Sequence, residues 1–322
     1  MREAAFIKKN KDKWQQFEDI LSKKITVSPD KLSDLYIEIT DDLSFAKTFY
    51  PTSKVVAYLN GISATAHLKI YVTKKESKNR FISFFKTEFP LAFYQHQKQL
   101  LIAFSVFLFF AIVGAFSAAN DVDFVRVILG DSYVNMTLEN IEKGDPMAVY
   151  KKQAEMDMFL GITINNIRVA MMAFIFGILF SIGTLFIMMQ NGIMLGSFLY
   201  FFYDKDLLWE SSRTIWIHGT IEISVIIIAG CAGMVLGNGI LFPKTYSRLE
   251  SFKKSIKEGL KIMVSTIPFF IIAGFLEGFV TRHTEMPDWL AIFIILSSLS
   301  IIVYYYIIYP IQLTKKMQKN VQ

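Results

Sequence analysis

The chain has 322 residues, is 53% hydrophobic and 15% aromatic with 30 phenylalanines, has a mean hydropathy of +0.38 and carries a formal net charge of +6. A soluble domain of this length does not hold so much apolar material, and nearly all the long apolar runs follow Gln99, after a polar and basic first 99 residues. The single cysteine, Cys231, excludes an intrachain disulfide framework, so the sequence reads as an all-α, polytopic membrane protein with a soluble N-terminal region.

The N-terminus, MREAAFIKKNKDKW, lacks the apolar core of a signal peptide, so the first span is expected to act as the targeting signal. Residues 1–78 are expected to form a cytoplasmic three-helix region. Phe6, Trp14, Phe17, Ile20 and Leu21 recur at helical spacing and read as its core. Ser28 (N-cap) and Pro29 (first turn) open a second helix that runs to about Thr48. Pro51 ends it, and a third helix runs from about Ser53 to Tyr71. The short connections favour antiparallel packing.

Over residues 79–99, Phe81, Phe84, Phe85 and Phe89 cluster on one helical face, with Arg80, Lys86 and Lys98 elsewhere. This fits an amphipathic helix at the membrane interface, or one packed on the bundle, with a bend at Pro90 in either case. The adjacent basic charge suits anionic headgroups, and no nucleic-acid partner is expected.

A span needs about 20 apolar residues. The transmembrane domain is expected over 100–310, followed by a cytoplasmic tail at 311–322. Leu100–Ala119, Thr214–Gly237, Ile262–Phe279 and Trp289–Tyr309 qualify as spans, and Ile167–Tyr203 is one apolar stretch interrupted by Gln190-Asn191-Gly192. Charge decides the count. The N-terminal region, the 244–261 segment with Lys244, Arg248, Lys253, Lys254, Lys257 and Lys261, and the tail with Lys315, Lys316 and Lys319 are basic, whereas the 120–166 loop is acidic. Basic segments favour the cytoplasmic side, and all three lie there only if 167–203 crosses twice. The expectation is six crossings with both termini cytoplasmic and 120–166 as an outer loop. The turn is placed at Asn191-Gly192, a pair suited to positive φ, with Gly196 beyond it and a third element that is short or partly re-entrant.

This topology gathers polar residues from three spans at one depth. His218 and Glu222, at i and i+4, share a face of span four, and helical rise puts Glu222 roughly 9 Å below Trp216 and Glu277 roughly 7 Å below Arg282. Asn165, Asn166 and Arg168 open span two on the same side. Further along the face of His218 and Glu222, Ala229, Gly233 and Gly237 form a small-residue seam for close helix approach, and Gly219 offers close backbone approach or local unwinding. The cluster reads as a structural hydrogen-bonded network, a proton or ion relay, or a polar-ligand site. As metal ligands His218, Glu222 and Glu277 are weak candidates, because His-x-x-x-Glu lacks the second histidine of HExxH. No metal or other cofactor is expected, and no catalytic residue is assigned.

The segments 190-QNGIMLG-196 and 217-IHGTIEISVIIIAGCAGMVLG-237, the Asn165-Asn166 pair, and the upstream 32-LSDLYIEITDDLSFAK-47 and 58-YLNGISATAHLKIY-71 together resemble the stage II sporulation protein M family, in its longer branch with a cytoplasmic helical region. The resemblance makes Asn191, Gly192, His218, Gly219 and Glu222 motif positions. It implies a scaffold in the bacterial inner membrane, forming a homodimer and recruiting envelope or cell-wall enzymes, not necessarily in sporulation. The alternative carried by the polar residues is a transporter or channel for an ion, lipid or cell-wall precursor.

Overall fold

The computed structural model describes residues 2–22, 29–71, 80–151 and 154–319. It comprises two compact units, Met1–Arg80 and Phe81–Gln322. The first holds α1 (Glu3–Leu21), α2 (Pro29–Phe49) and α3 (Lys54–Tyr71). Phe6, Trp14, Phe17, Ile20 and Leu21 are buried against Leu35, Ile39, Leu43, Leu59 and Ile62. The Trp14 indole N–H donates to Asp42 Oδ2 at 2.8 Å, and Lys13 pairs with the same carboxylate at 2.7 Å. The expected cap at Ser28 lies outside the described residues.

The second unit opens with a helical stretch made of Arg80–Ser83, a π turn over Phe84–Glu88, and α4 (Phe89–Tyr94). Here the chain packs on the membrane-span helices of its own unit. Phe89 and Phe93 are fully buried beside Tyr305 and Tyr306, while Phe81 and Ile82 are exposed. The stretch stays helical through Pro90, for an identifiable reason. Pro90 has no N–H for the Lys86 carbonyl, and the Phe89 N–H skips to Phe84 O in the π turn, which frees Phe85 O. The Tyr309 and Tyr305 hydroxyls donate to these two carbonyls, at 2.7 and 3.0 Å. The same device recurs at Pro310. It follows a π turn over Tyr304–Ile308, and the Gln97 side chain donates to the Tyr306 carbonyl at 2.9 Å.

Six helices among the described residues are long and apolar enough to cross a membrane. They are α5 (Gln97–Asn120), α8 (Glu155–Ile175), α9 (Ile182–Asp204), α10 (Leu208–Leu241), α11 (Arg248–Phe275, continued by a π turn over Leu276–Val280) and the helix built from α12 (Asp288–Val303) and α13 (Tyr309–Lys319). Between α5 and α8 lie α6 (Phe124–Leu129) and α7 (Asp131–Glu142), whose Val125 and Val134 pack with Met147 on Phe201, Phe202 and Ile215. Burial pushes the Tyr133 phenol there up to about 12. The loop is shorter than 120–166, because Glu155 and Asp157 sit in the first turn of α8, where acidic side chains favour the helix N-terminus.

Asn191-Gly192 does not break a helix. α9 runs unbroken for 23 residues, neither short nor re-entrant, with Asn191 and Gly192 near its middle. The Asn191 amide donates back to Ile187 O at 2.8 Å within the helix. A side chain at Gly192 or Gly196 would run into the Phe107 or Ala111 carbonyl of α5, so these glycines serve helix crossing. The reversal lies at 176–181, where a 3-10 turn (Phe176–Ile178) leads to left-handed Phe180 (φ 53°) and Ser181 (φ 68°). Ile178, Leu179, Phe180 and Ile182 around it are exposed.

α10 forms the axis: from Thr214 to Gly237 nearly every residue is buried. Gly233 meets Ala173 O of α8, Gly177 meets Gly233 O, and Gly237 meets Ser181 and the Gly177 carbonyl. Ala229 is fully buried in the same core. At Gly219 the helix is neither unwound nor closely approached, since an added methyl would meet only Ile215 and Ile223 of α10 itself, at 3.5 and 3.9 Å.

Gly196→Ala should therefore overpack the α5–α9 crossing and cost ~1–3 kcal/mol or more. Gly219→Ala should be neutral or gain up to ~1 kcal/mol of helix propensity. Thermal melting of both variants in detergent micelles checks the contrast, and equal losses would contradict it.

Candidate functional site

His218 and Glu222 stand four residues apart on α10. The facing wall is the end of α11, where the Thr281 N–H reaches back five residues to Leu276 O at 2.8 Å. This wider turn sets Glu277 and Thr281, also four apart, against α10. His218 Nδ1 lies 2.9 Å from Thr281 Oγ1, and His218 Nε2 lies 3.6 Å from Glu277 Oε1. The Thr281 hydroxyl donates its one hydrogen to Leu276 O at 3.1 Å. Its oxygen must then accept from Nδ1–H, so the hydrogen bond fixes the imidazole with Nδ1 protonated and Nε2 facing the carboxylates.

The third wall is α8. Asn166 is buried and hydrogen-bonds Glu222. From the α7–α8 connection, Tyr150 lies edge-on to the His218 ring, centroids 5.7 Å apart. Burial pushes the Tyr150 phenol well above its ordinary value, and the Glu277 carboxylate pushes it further, so it is a neutral hydroxyl. His218, Glu222 and Glu277 each offer a ligand atom within 4.8 Å of the others. Two carboxylates this close and out of water require compensating positive charge, whether a shared proton, an imidazolium or a cation.

Above the cluster, Arg282 pairs with Glu155 at 2.8 Å. Arg213 pairs with Asp288 at 2.5 Å and donates to Thr284 O and Met286 O at 2.7 and 3.2 Å. These contacts tie the ends of α8, α10, α11 and α12 together on the acidic side of the bundle.

Of the residues expected in the cluster, His218, Glu222, Glu277 and Asn166 come together. Asn165 and Arg168 do not: both are exposed, turned away from the cluster, and lie well inside α8 rather than at its start. Thr281 and Tyr150 were not anticipated from the sequence. Thr281 could have been found by its i+4 spacing from Glu277. Tyr150 lies in a polar connection, and no pattern in that segment points to it. On the basic side a second pair, His96 Nε2 and Glu258 Oε2 at 3.0 Å, sits beside buried Cys231, whose thiol donates to His96 O at 3.7 Å.

Replacing Thr281 by valine removes the acceptor for His218 Nδ1–H and should cost ~1–3 kcal/mol, the usual cost of stranding a buried donor. Chemical unfolding in micelles measures the loss, and nitrogen NMR of the imidazole should show the fixed tautomer disappearing. An unchanged spectrum would refute this role.

A family model described as Stage II sporulation protein M matches residues 103–282. A second family, a domain of unknown function named DUF8413, matches residues 4–72. An uncharacterized protein from the archaeon Methanocaldococcus jannaschii is 26% identical over 156 residues, 48% of this chain and 68% of the relative. No solved structure matches the chain. The first match spans more than half of the sequence and includes every residue of the cluster from Tyr150 to Thr281, and the chain therefore belongs to the stage II sporulation protein M family.

Proposed function

We propose that this protein is a membrane scaffold that docks other envelope proteins through the outward face of α8. The observation that carries the reading is the stripe Gly161, Asn165 and Arg168, spaced i, i+4, i+7 and exposed together. Exposed Ile164 and Ile175 flank it, so the surrounding face is apolar. Arg168 is thirteen residues from Glu155, about 20 Å down the helix, and has no ion pair among the described residues. An arginine at such depth costs ~2.5–3.5 kcal/mol or more against lipid. A partner helix bringing a carboxylate or amide removes that cost, and Gly161 lets its backbone approach closely.

A second copy is one candidate partner, but a two-fold contact along α8 would set Arg168 beside its own copy. An unlike partner, such as an envelope or cell-wall enzyme with a membrane anchor, fits the charge better. The family resemblance and the basic N-terminal region agree with cytoplasmic termini in a bacterial inner membrane. A second reading, transport of an ion or a polar precursor, draws on the buried His218–Glu222–Glu277 cluster instead. Its mark would be flux in proteoliposomes that Glu222→Gln abolishes.

Gly161 has open space around it and Cys231 is buried, so Gly161→Cys supplies one accessible thiol on this face. Cross-linking in native membranes should give an adduct with another membrane protein, reduced several-fold by adding Arg168→Leu. A chain that stays unlinked, or an adduct indifferent to Arg168, would overturn the scaffold reading.

A further inference from the structure

His218, Glu222 and Glu277 are drawn from two helices that have no sequence motif in common, yet they converge with defined chemistry. One neutral nitrogen and two carboxylate oxygens face a common centre, with each pair of ligand atoms no more than 4.8 Å apart. We propose that this centre binds one divalent transition-series cation, with zinc as the representative ion.

Four features support the assignment. The first is spacing. Ligand atoms at 2.0–2.2 Å from a tetrahedral zinc lie about 3.3–3.6 Å from one another, and His218 Nε2 already stands 3.6 Å from Glu277 Oε1. A carboxylate rotation closes the longer separations. The second is the tautomer. The Thr281 hydroxyl spends its hydrogen on Leu276 O, takes the hydrogen of His218 Nδ1, and so directs the lone pair of Nε2 at the centre. With both glutamates ionised, that lone pair would face a carboxylate oxygen, acceptor against acceptor, unless a cation or a shared proton stands between them. An outer hydrogen bond on the non-ligating nitrogen is the usual arrangement of a metal-bound histidine.

The third feature is support for the carboxylates. The Asn166 amide hydrogen-bonds Glu222 from α8, and the π turn that holds Glu277 is closed by the Thr281 N–H on Leu276 O. The fourth is charge. Two carboxylates and a doubly charged cation sum to zero, which is the condition for keeping ionised groups between membrane helices. The ligand set also selects the ion. An imidazole nitrogen disfavours magnesium and calcium, which prefer oxygen alone, and the absence of thiolate among the three ligands disfavours copper(I). Three protein ligands leave a fourth position beside Tyr150 for water or a small polar ligand, as in open zinc sites. Because the site faces the bundle interior and the proposed docking stripe faces outward, each can fail without the other.

The test uses the full chain, purified in micelles on a tag without histidines. Elemental analysis should find about one zinc per chain. Chelator should lower the melting temperature, and added zinc should restore it. Cobalt in place of zinc should give the visible bands of a low-symmetry nitrogen–oxygen site. His218→Gln and Glu277→Gln should lose stoichiometric metal, and Thr281→Val, a positioning variant, should weaken zinc binding about 10–100-fold. His96→Gln, at the other histidine–glutamate pair, should leave it intact. If a glutamine variant fails to fold, the chelator and cobalt measurements on the unaltered chain still decide. A folded wild-type chain with no metal and no thermal response to zinc overturns the proposal. So does zinc binding that survives both glutamine variants, which would be adventitious.

Discussion

Among the six crossing helices, α10 is the one left with almost no surface for lipid, and the arrangement of the others follows from enclosing it. Apolar side chains gain little by leaving lipid for another helix, so contact quality has to hold a membrane bundle together. Here that quality comes from backbone meeting backbone. Gly177 and Gly233 abut, and Gly237 receives the Ser181 turn. The same enclosure makes room for polarity. His218 and Glu222 can occupy α10 because α8 and the end of α11 supply Asn166, Thr281 and Glu277 in place of solvent.

Helical irregularity is used in a consistent way. Each of the three π turns gathers groups that a regular α-helix would have separated. Two of them precede a proline, and the carbonyls they release are taken by Tyr305, Tyr309 and Gln97, which joins the start of the second unit to its end. The third sets Glu277 and Thr281 against His218. At the two turns that precede a proline, the released carbonyls are satisfied by side chains of a neighbouring helix, as a backbone within hydrocarbon requires.

The sequence made the class, the number of spans and the core of the N-terminal bundle readable, because burial imposes a period and a span imposes a length. It also gathered His218, Glu222, Glu277 and Asn166 from charge asymmetry and helical rise. It misplaced the reversal between α8 and α9. Asn-Gly signals a turn where the backbone can face water, whereas within lipid the same glycine is worth more as a contact point and the asparagine bonds back to its own helix. The true turn, at Phe180-Ser181, contains no glycine or proline at its left-handed positions. Asn165 and Arg168 were assigned inward because polarity within a membrane usually points that way. Asn165 and Asn166 are neighbours, about 100° apart around α8, which is enough to leave one exposed and the other buried.

The apolar turn over 176–182 bears on how the chain is made. It carries no lysine or arginine, so nothing in it anchors the hairpin to one side of the bilayer during synthesis. Downstream of it come Lys205 and Arg213 among acidic neighbours, and then the basic segment that follows α10, with Lys244 and Arg248. α8 and α9 thus form a hairpin whose own turn supplies no positive-inside signal, and its side of the bilayer depends on charges elsewhere in the chain.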